Sequence, residues 1–141
     1  MPHSRLKVLF LVESLSGGGA EKILSGLVRG LDRDKFDVTV CAVVDCGQYR
    51  DEVRKHARYR FIVGGSGWLY RVKYALVYRF LPASWIYRWR IAGDYDVEAA
   101  FTEGLPTRLL AAAPGGKSGK AGETRKIAWV HVDLEARPWT Q

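Results

Sequence analysis

The chain has 141 residues, enough for one domain that buries roughly 70% of the surface its unfolded form exposes, and too few for two. Hydrophobic residues make up 48% and charged residues 26%, which excludes a disordered, collagen-like or disulfide-stapled chain. The formal charge of +7, with a pI near 9.6, favours anionic partners: nucleotide phosphates, nucleic acid or an acidic lipid surface.

Met1 to Lys7 and the apolar run behind it have the outline of a signal peptide, but Glu13 cuts that run short and no small-residue cleavage site follows. Leu6 to Val12 instead reads as a parallel strand covered on both faces. After the loop Gly17-Gly18-Gly19, the residues Ile23, Leu24, Leu27, Val28 and Leu31 recur at helical spacing, with Glu21 favoured in the first turn by the helix dipole. Phe36 to Val44, rich in β-branched residues, completes a right-handed strand–helix–strand unit. A short polar helix over 49–56 leads to a third strand at Tyr59 to Val63, closed by Gly64-Gly65-Ser66-Gly67.

Trp68 to Ile91 reads as one or two helices broken near Pro82, with Leu69, Val72, Leu76 and Phe80 along one face. Val97 to Phe101 is a fourth strand, Leu105 to Ala113 a helix that tolerates Pro106 in its first turn, and Ile127 to Val132 a fifth strand after the loop at 114–123. This alternation specifies an α/β fold, a Rossmann-like doubly wound parallel sheet with strand order 3-2-1-4-5. Ligands of such sheets bind beyond the carboxyl ends of the strands, at the switch point between strands one and four. The loops at 13–19, 102–104 and 131–133 emerge there. No uncharged apolar stretch is long enough to span a bilayer, and Cys41 and Cys46 read as free thiols of a reducing, cytosolic compartment.

Several motifs have competing readings. Glycines between a strand and a helix let backbone N–H groups approach a phosphate, although a tight turn that binds nothing needs them equally. As a dinucleotide fingerprint the loop fits poorly, because Glu13 to Ser16 separate it from the strand and Lys22 stands where the third glycine belongs; Asp45 would be that reading's ribose ligand. Ala111 to Ser118 resembles a P-loop, but it follows a helix and precedes a strand, the reverse of the required topology. Asp94 and Asp96 mimic a metal-binding pair at the wrong edge of the sheet and read as turn residues. His131, at the end of strand five with Asp133 two residues on, has no second histidine or cysteine nearby for a metal and as a lone histidine reads as structural, yet its location favours substrate contact. Glu103, just beyond strand four, is placed either to orient a sugar hydroxyl or to sit in the field of the next helix.

Between Glu52 and Asp94 there is no acidic residue, while Arg71, Lys73, Arg79, Arg88 and Arg90 interleave with Trp68, Tyr70, Tyr74, Tyr78, Trp85, Tyr87 and Trp89. Such a segment suits an anionic membrane surface through Arg71, Lys73, Arg79, Trp85 and Arg88. Nucleic acid can use the same chemistry, and aromatics packed on the sheet beneath solvated arginines are the bland account.

Leu6 to Val12 running into Gly17-Gly18-Gly19-Ala20-Glu21, then Val97 to Thr107 (VEAAFTEGLPT), then Ile127 to Asp133 (IAWVHVD), together resemble the amino-terminal domain of family 4 (group 1) glycosyltransferases. The resemblance spans most of the chain. It implies the first half of a two-domain GT-B enzyme that retains anomeric configuration and needs neither cofactor nor bound metal. Residues 1–141 would be its acceptor-side domain, cytoplasmic and peripheral to the inner face of the membrane, with the donor-binding half absent. It further implies that Gly17, Gly18 and Gly19 approach the donor diphosphate, that His131 acts beside the transferred hexosyl group, and that Glu103 contacts substrate. The expected partners are a nucleotide-sugar donor, a lipid-linked or saccharide acceptor and an anionic membrane, not nucleic acid. The alternative is a non-catalytic Rossmann-type module binding a nucleotide, NAD or nucleic acid.

Overall fold

The computed structural model describes residues 4–65, 67–113 and 124–129. Its elements in chain order are β1 (Leu6–Val12), α1 (Gly19–Gly30), β2 (Phe36–Val44), α2 (Arg50–His56), β3 (Arg58–Val63), α3 (Trp68–Phe80) and α4 (Ala83–Ile86). A π-helical segment (Tyr87–Ile91), β4 (Val97–Ala100), α5 (Leu105–Ala112) and β5 (Arg125–Ala128) follow. The five strands form one sheet in the order β3-β2-β1-β4-β5, and every pairing is parallel. This is the doubly wound arrangement expected from the alternation of strands and helices.

The two sides of β1 explain its unbroken apolar run. Val8, Phe10 and Val12 point to a core layer shared with Leu24 and Val28 of α1 and Val53 of α2. Leu9 and Leu11 point to the other layer, where Ile86, Tyr87, Ile91, Leu105 and Leu109 pack. A strand covered on both faces has no polar side to show, so alternation is lost.

Strand boundaries differ slightly from expectation. β3 starts one residue earlier, at Arg58, and β4 ends at Ala100. β5 starts at Arg125, two residues before the expected Ile127, because Arg125 N–H bonds to the Asp96 carbonyl at 3.0 Å and opens the ladder there. The remainder of the expected fifth strand, Val130 to Val132, lies outside the described residues.

The larger finding concerns α3. Leu69, Val72, Leu76 and Phe80 do share one face, and that face points outward: Leu69 is 56% and Phe80 73% exposed. The core-facing residues are Tyr70, Tyr74, Val77 and Leu81 instead. The aromatics of this segment therefore divide, Tyr70, Tyr74 and Tyr87 turning in and Trp68, Tyr78, Trp85 and Trp89 turning out. Pro82 ends α3 and serves as the N-cap of α4, where its missing N–H costs nothing.

Candidate functional site

The carboxyl end of β1 meets two neighbouring loops. On one side, Leu15 N–H bonds to the Cys46 carbonyl at 3.0 Å and Tyr49 N–H to the Leu15 carbonyl at 3.2 Å, fastening the loop after β1 to the loop after β2. Gly47 permits this contact: its φ is +119°, and a Cβ there would lie 1.9 Å from the Leu15 carbonyl. On the other side, Glu13 N–H donates to Thr102 Oγ1 at 2.9 Å, joining the β1 loop to the segment after β4. The loops at 13–19 and 102–104 thus meet at the switch point, where sheets of this topology present their ligand crevice.

Gly17 also has a left-handed φ of +119°, which lets the chain turn into α1 while passing Gln48. Gly18 is the N-cap of α1 and carries no side chain to satisfy the first-turn N–H groups. The Glu21 carboxylate folds over it, so close that a Cβ on Gly18 would lie 2.4 Å from Oε2. The chain thus supplies its own negative charge at this positive helix end. An incoming anion has to share or displace it.

Glu13, half-buried where β1 ends, accepts a hydrogen bond from the Tyr74 hydroxyl of α3. Burial raises its carboxyl above the usual carboxylate range, and the Tyr74 bond only partly opposes that rise. Tyr74 stacks on Tyr78 with ring centroids 6.0 Å apart, and the Arg108 guanidinium of α5 lies 5.2 Å from the Tyr78 ring. One lip of the crevice is therefore aromatic, next to a carboxyl that can hold a proton. Such a lip can stack on a sugar ring and accept its hydroxyls. Glu103 is exposed on the turn entering α5. His131 lies outside the described residues, so its distance from Gly17 to Gly19 is not part of this geometry.

Arg71, Lys73 and Arg79 of α3, together with Trp85 and Arg88, are all exposed. Trp85, Arg88 and Trp89 line a shallow hollow of about 600 Å³. At 100° per residue, Arg79 and Lys73 flank the outward apolar row of α3 on its two sides, whereas Arg71 stands nearly opposite it, on the side of Tyr74 and Tyr78. Lys73 and Arg79 thus stand away from the flank that Tyr74 turns to Glu13, and Arg71 stands close to it.

Asp45 does not fit the ribose role. Its Oδ1 receives the Tyr59 hydroxyl at 3.0 Å and faces Arg50 and Arg54, each at 3.5 Å. Asp96 sits at the amino edge, where its carboxylate accepts Lys7 N–H at 2.8 Å, as a turn residue there should. The P-loop-like stretch extends beyond Ala113, outside the described residues.

Sequence reading singled out neither Glu13 nor Glu98 as a functional group. Glu98 is 3% exposed in β4; its Oε1 takes the Tyr87 hydroxyl, and its Oε2 is buried with no hydrogen-bond partner among the described residues. A carboxylate inside an apolar strand segment was the available signal for Glu98, and a carboxylate directly ending one was the signal for Glu13. No protein-family model matches the chain, and no curated protein is significantly similar to it.

Proposed function

We propose that this chain is the acceptor-side domain of a retaining glycosyltransferase, one that moves a hexosyl group from a nucleotide-diphosphate sugar to a membrane-associated polysaccharide or glycolipid. The observation that carries this reading is the joining of the β1 loop to the post-β4 segment through Glu13 and Thr102. That bond supports the reading because it draws the loop leading to the α1 N-terminus, which Glu21 covers, and the Glu13 carboxyl with its aromatic neighbours towards the segment after β4.

In this reading the amides of Gly17 to Gly19 face the donor diphosphate, with Glu21 yielding its place to it. Glu13 and Glu103 orient acceptor hydroxyls, and His131 contacts the transferred sugar. Most of the stabilisation of a departing nucleoside diphosphate comes from a donor-binding half supplied by a partner or by a longer gene product. These residues alone give negligible turnover. The outward face of α3, with Trp85, Arg88 and Trp89, rests on the anionic inner face of the membrane and brings a lipid-linked acceptor to the crevice. Among the described residues no helix is long and apolar enough to cross a membrane, so the reading is of surface contact.

Binding to vesicles that carry lipid-linked oligosaccharide tests the proposal. Binding should exceed that to the same vesicles without saccharide, and Glu13→Gln and Glu103→Gln should remove the excess. Salt-sensitive binding of DNA or RNA, with no affinity for saccharide or lipid, would replace this reading with that of a nucleic-acid-binding module.

A further inference from the structure

On the flank of α3 away from Tyr74, the carboxyl end of β3 and the π-helical segment help enclose a cavity of about 520 Å³. Its walls are of two kinds. Phe61, Leu76 and Val77 are apolar, while Lys73 and Arg90 bring cationic groups to the same space. Arg90 is held in place, its Nη2 donating to the carbonyls of Phe61 at 3.3 Å and Ile62 at 3.4 Å. Lys73 is exposed and has no hydrogen-bond or ion-pair partner among the described residues. Asp45 is the single acid among the residues lining the cavity, and Arg50 and Arg54 balance its charge. The cavity therefore carries an excess of positive charge.

The geometry points to a seat for one phosphate group carried on an apolar chain, and we infer that this cavity binds a lipid phosphate. The phosphate sits against Lys73 and Arg90, which supply charge-assisted hydrogen bonds. The chain leaves along Leu76, a member of both the cavity wall and the exposed row Leu69, Val72, Leu76 and Phe80. The volume lies within the range of small-ligand sites, and inorganic phosphate alone would fill little of it. Leu76 thus connects a polar seat to the surface assigned to the membrane. The inference deepens that membrane reading, and rests on it for the source of the ligand.

Calorimetry with soluble probes separates the two claims. Farnesyl phosphate, below its micelle concentration, should bind at least about tenfold more tightly than either farnesol or inorganic phosphate. Lys73→Ala should weaken it by about tenfold and Lys73→Arg should restore it. Leu76→Ser should weaken farnesyl phosphate while leaving inorganic phosphate unchanged, and Leu76 is exposed enough for the substitution to spare the fold. Dihexanoyl phosphatidic acid, run in parallel, distinguishes a glycerolipid from an isoprenoid source by which of the two binds more tightly. Equal binding of farnesyl phosphate and farnesol, or indifference to Lys73→Ala, would overturn the site. Vesicle binding that persists alongside that indifference would leave the membrane surface standing without it. Farnesyl phosphate binding without any vesicle binding would keep the site and remove the surface.

Discussion

Replacing Arg71, Arg79 and Arg88 together by glutamine removes three exposed charges while leaving the packed residues Tyr70, Tyr74 and Val77 in place. Each basic group near an anionic headgroup layer contributes about 1 kcal/mol, so the triple variant loses about 3 kcal/mol, a fall of roughly two orders of magnitude in partitioning. Because exposed charges are screened over about 8 Å at physiological salt, raising the ionic strength should weaken the parent protein as well. Sedimentation with vesicles of graded anionic lipid content measures this, and an unchanged melting temperature confirms that the variant is folded. On neutral vesicles, parent and variant should bind alike, through Trp68, Trp85 and Trp89. Equal binding of both proteins to anionic vesicles would refute the electrostatic reasoning.

Further outcomes follow from the buried carboxyls and the loops. Burial holds Glu98 above the usual carboxylate range, against the Tyr87 hydrogen bond, so its folded-state pKa exceeds its unfolded one. Stability from this group is therefore greatest below the unfolded value and falls as pH rises through the folded value, a slope that denaturant melts across the acid range should show. Tyr87→Phe removes the larger of the two influences that lower this pKa, the other being the Lys126 charge, extending the slope to higher pH and costing about 1–3 kcal/mol at neutral pH; adding Glu98→Met should recover much of that loss. Gly47→Ala places a Cβ 1.9 Å from the Leu15 carbonyl at a left-handed φ and should cost at least about 1–3 kcal/mol in thermal unfolding. Glu21→Gln removes the carboxylate over Gly18 and should tighten pyrophosphate binding severalfold by calorimetry.

The layers of the fold were legible because β1 and most of β2 are apolar on both sides and each ends in a turn that contains glycine, Gly17 to Gly19 after β1 and Gly47 after β2. Those patterns follow from burial and backbone dihedrals, which act locally. The orientation of α3 was not legible. Its Leu69 row and its Tyr70 row are both apolar enough to pack, and the row that turns in meets partners distant in sequence: the core layer against Tyr70, Tyr74 and Val77, and Glu13, 61 positions earlier, whose carboxyl takes the Tyr74 hydroxyl. The candidate site divides along the same line. The glycine loop announced itself through residues adjacent in sequence, whereas the Glu13 and Thr102 contact and the Lys73 and Arg90 cavity unite residues from separate elements. Periodicity within one element carries no information about such pairs.

The most direct measurement is amide chemical-shift mapping of the labelled chain during titration with a nucleoside diphosphate. Weak, saturable shifts in the millimolar range are expected at Gly17, Gly18 and Gly19, accompanied by shifts from Thr102 to Gly104. Shifts confined to other edges of the sheet, or none, would contradict a shared crevice at the end of β1.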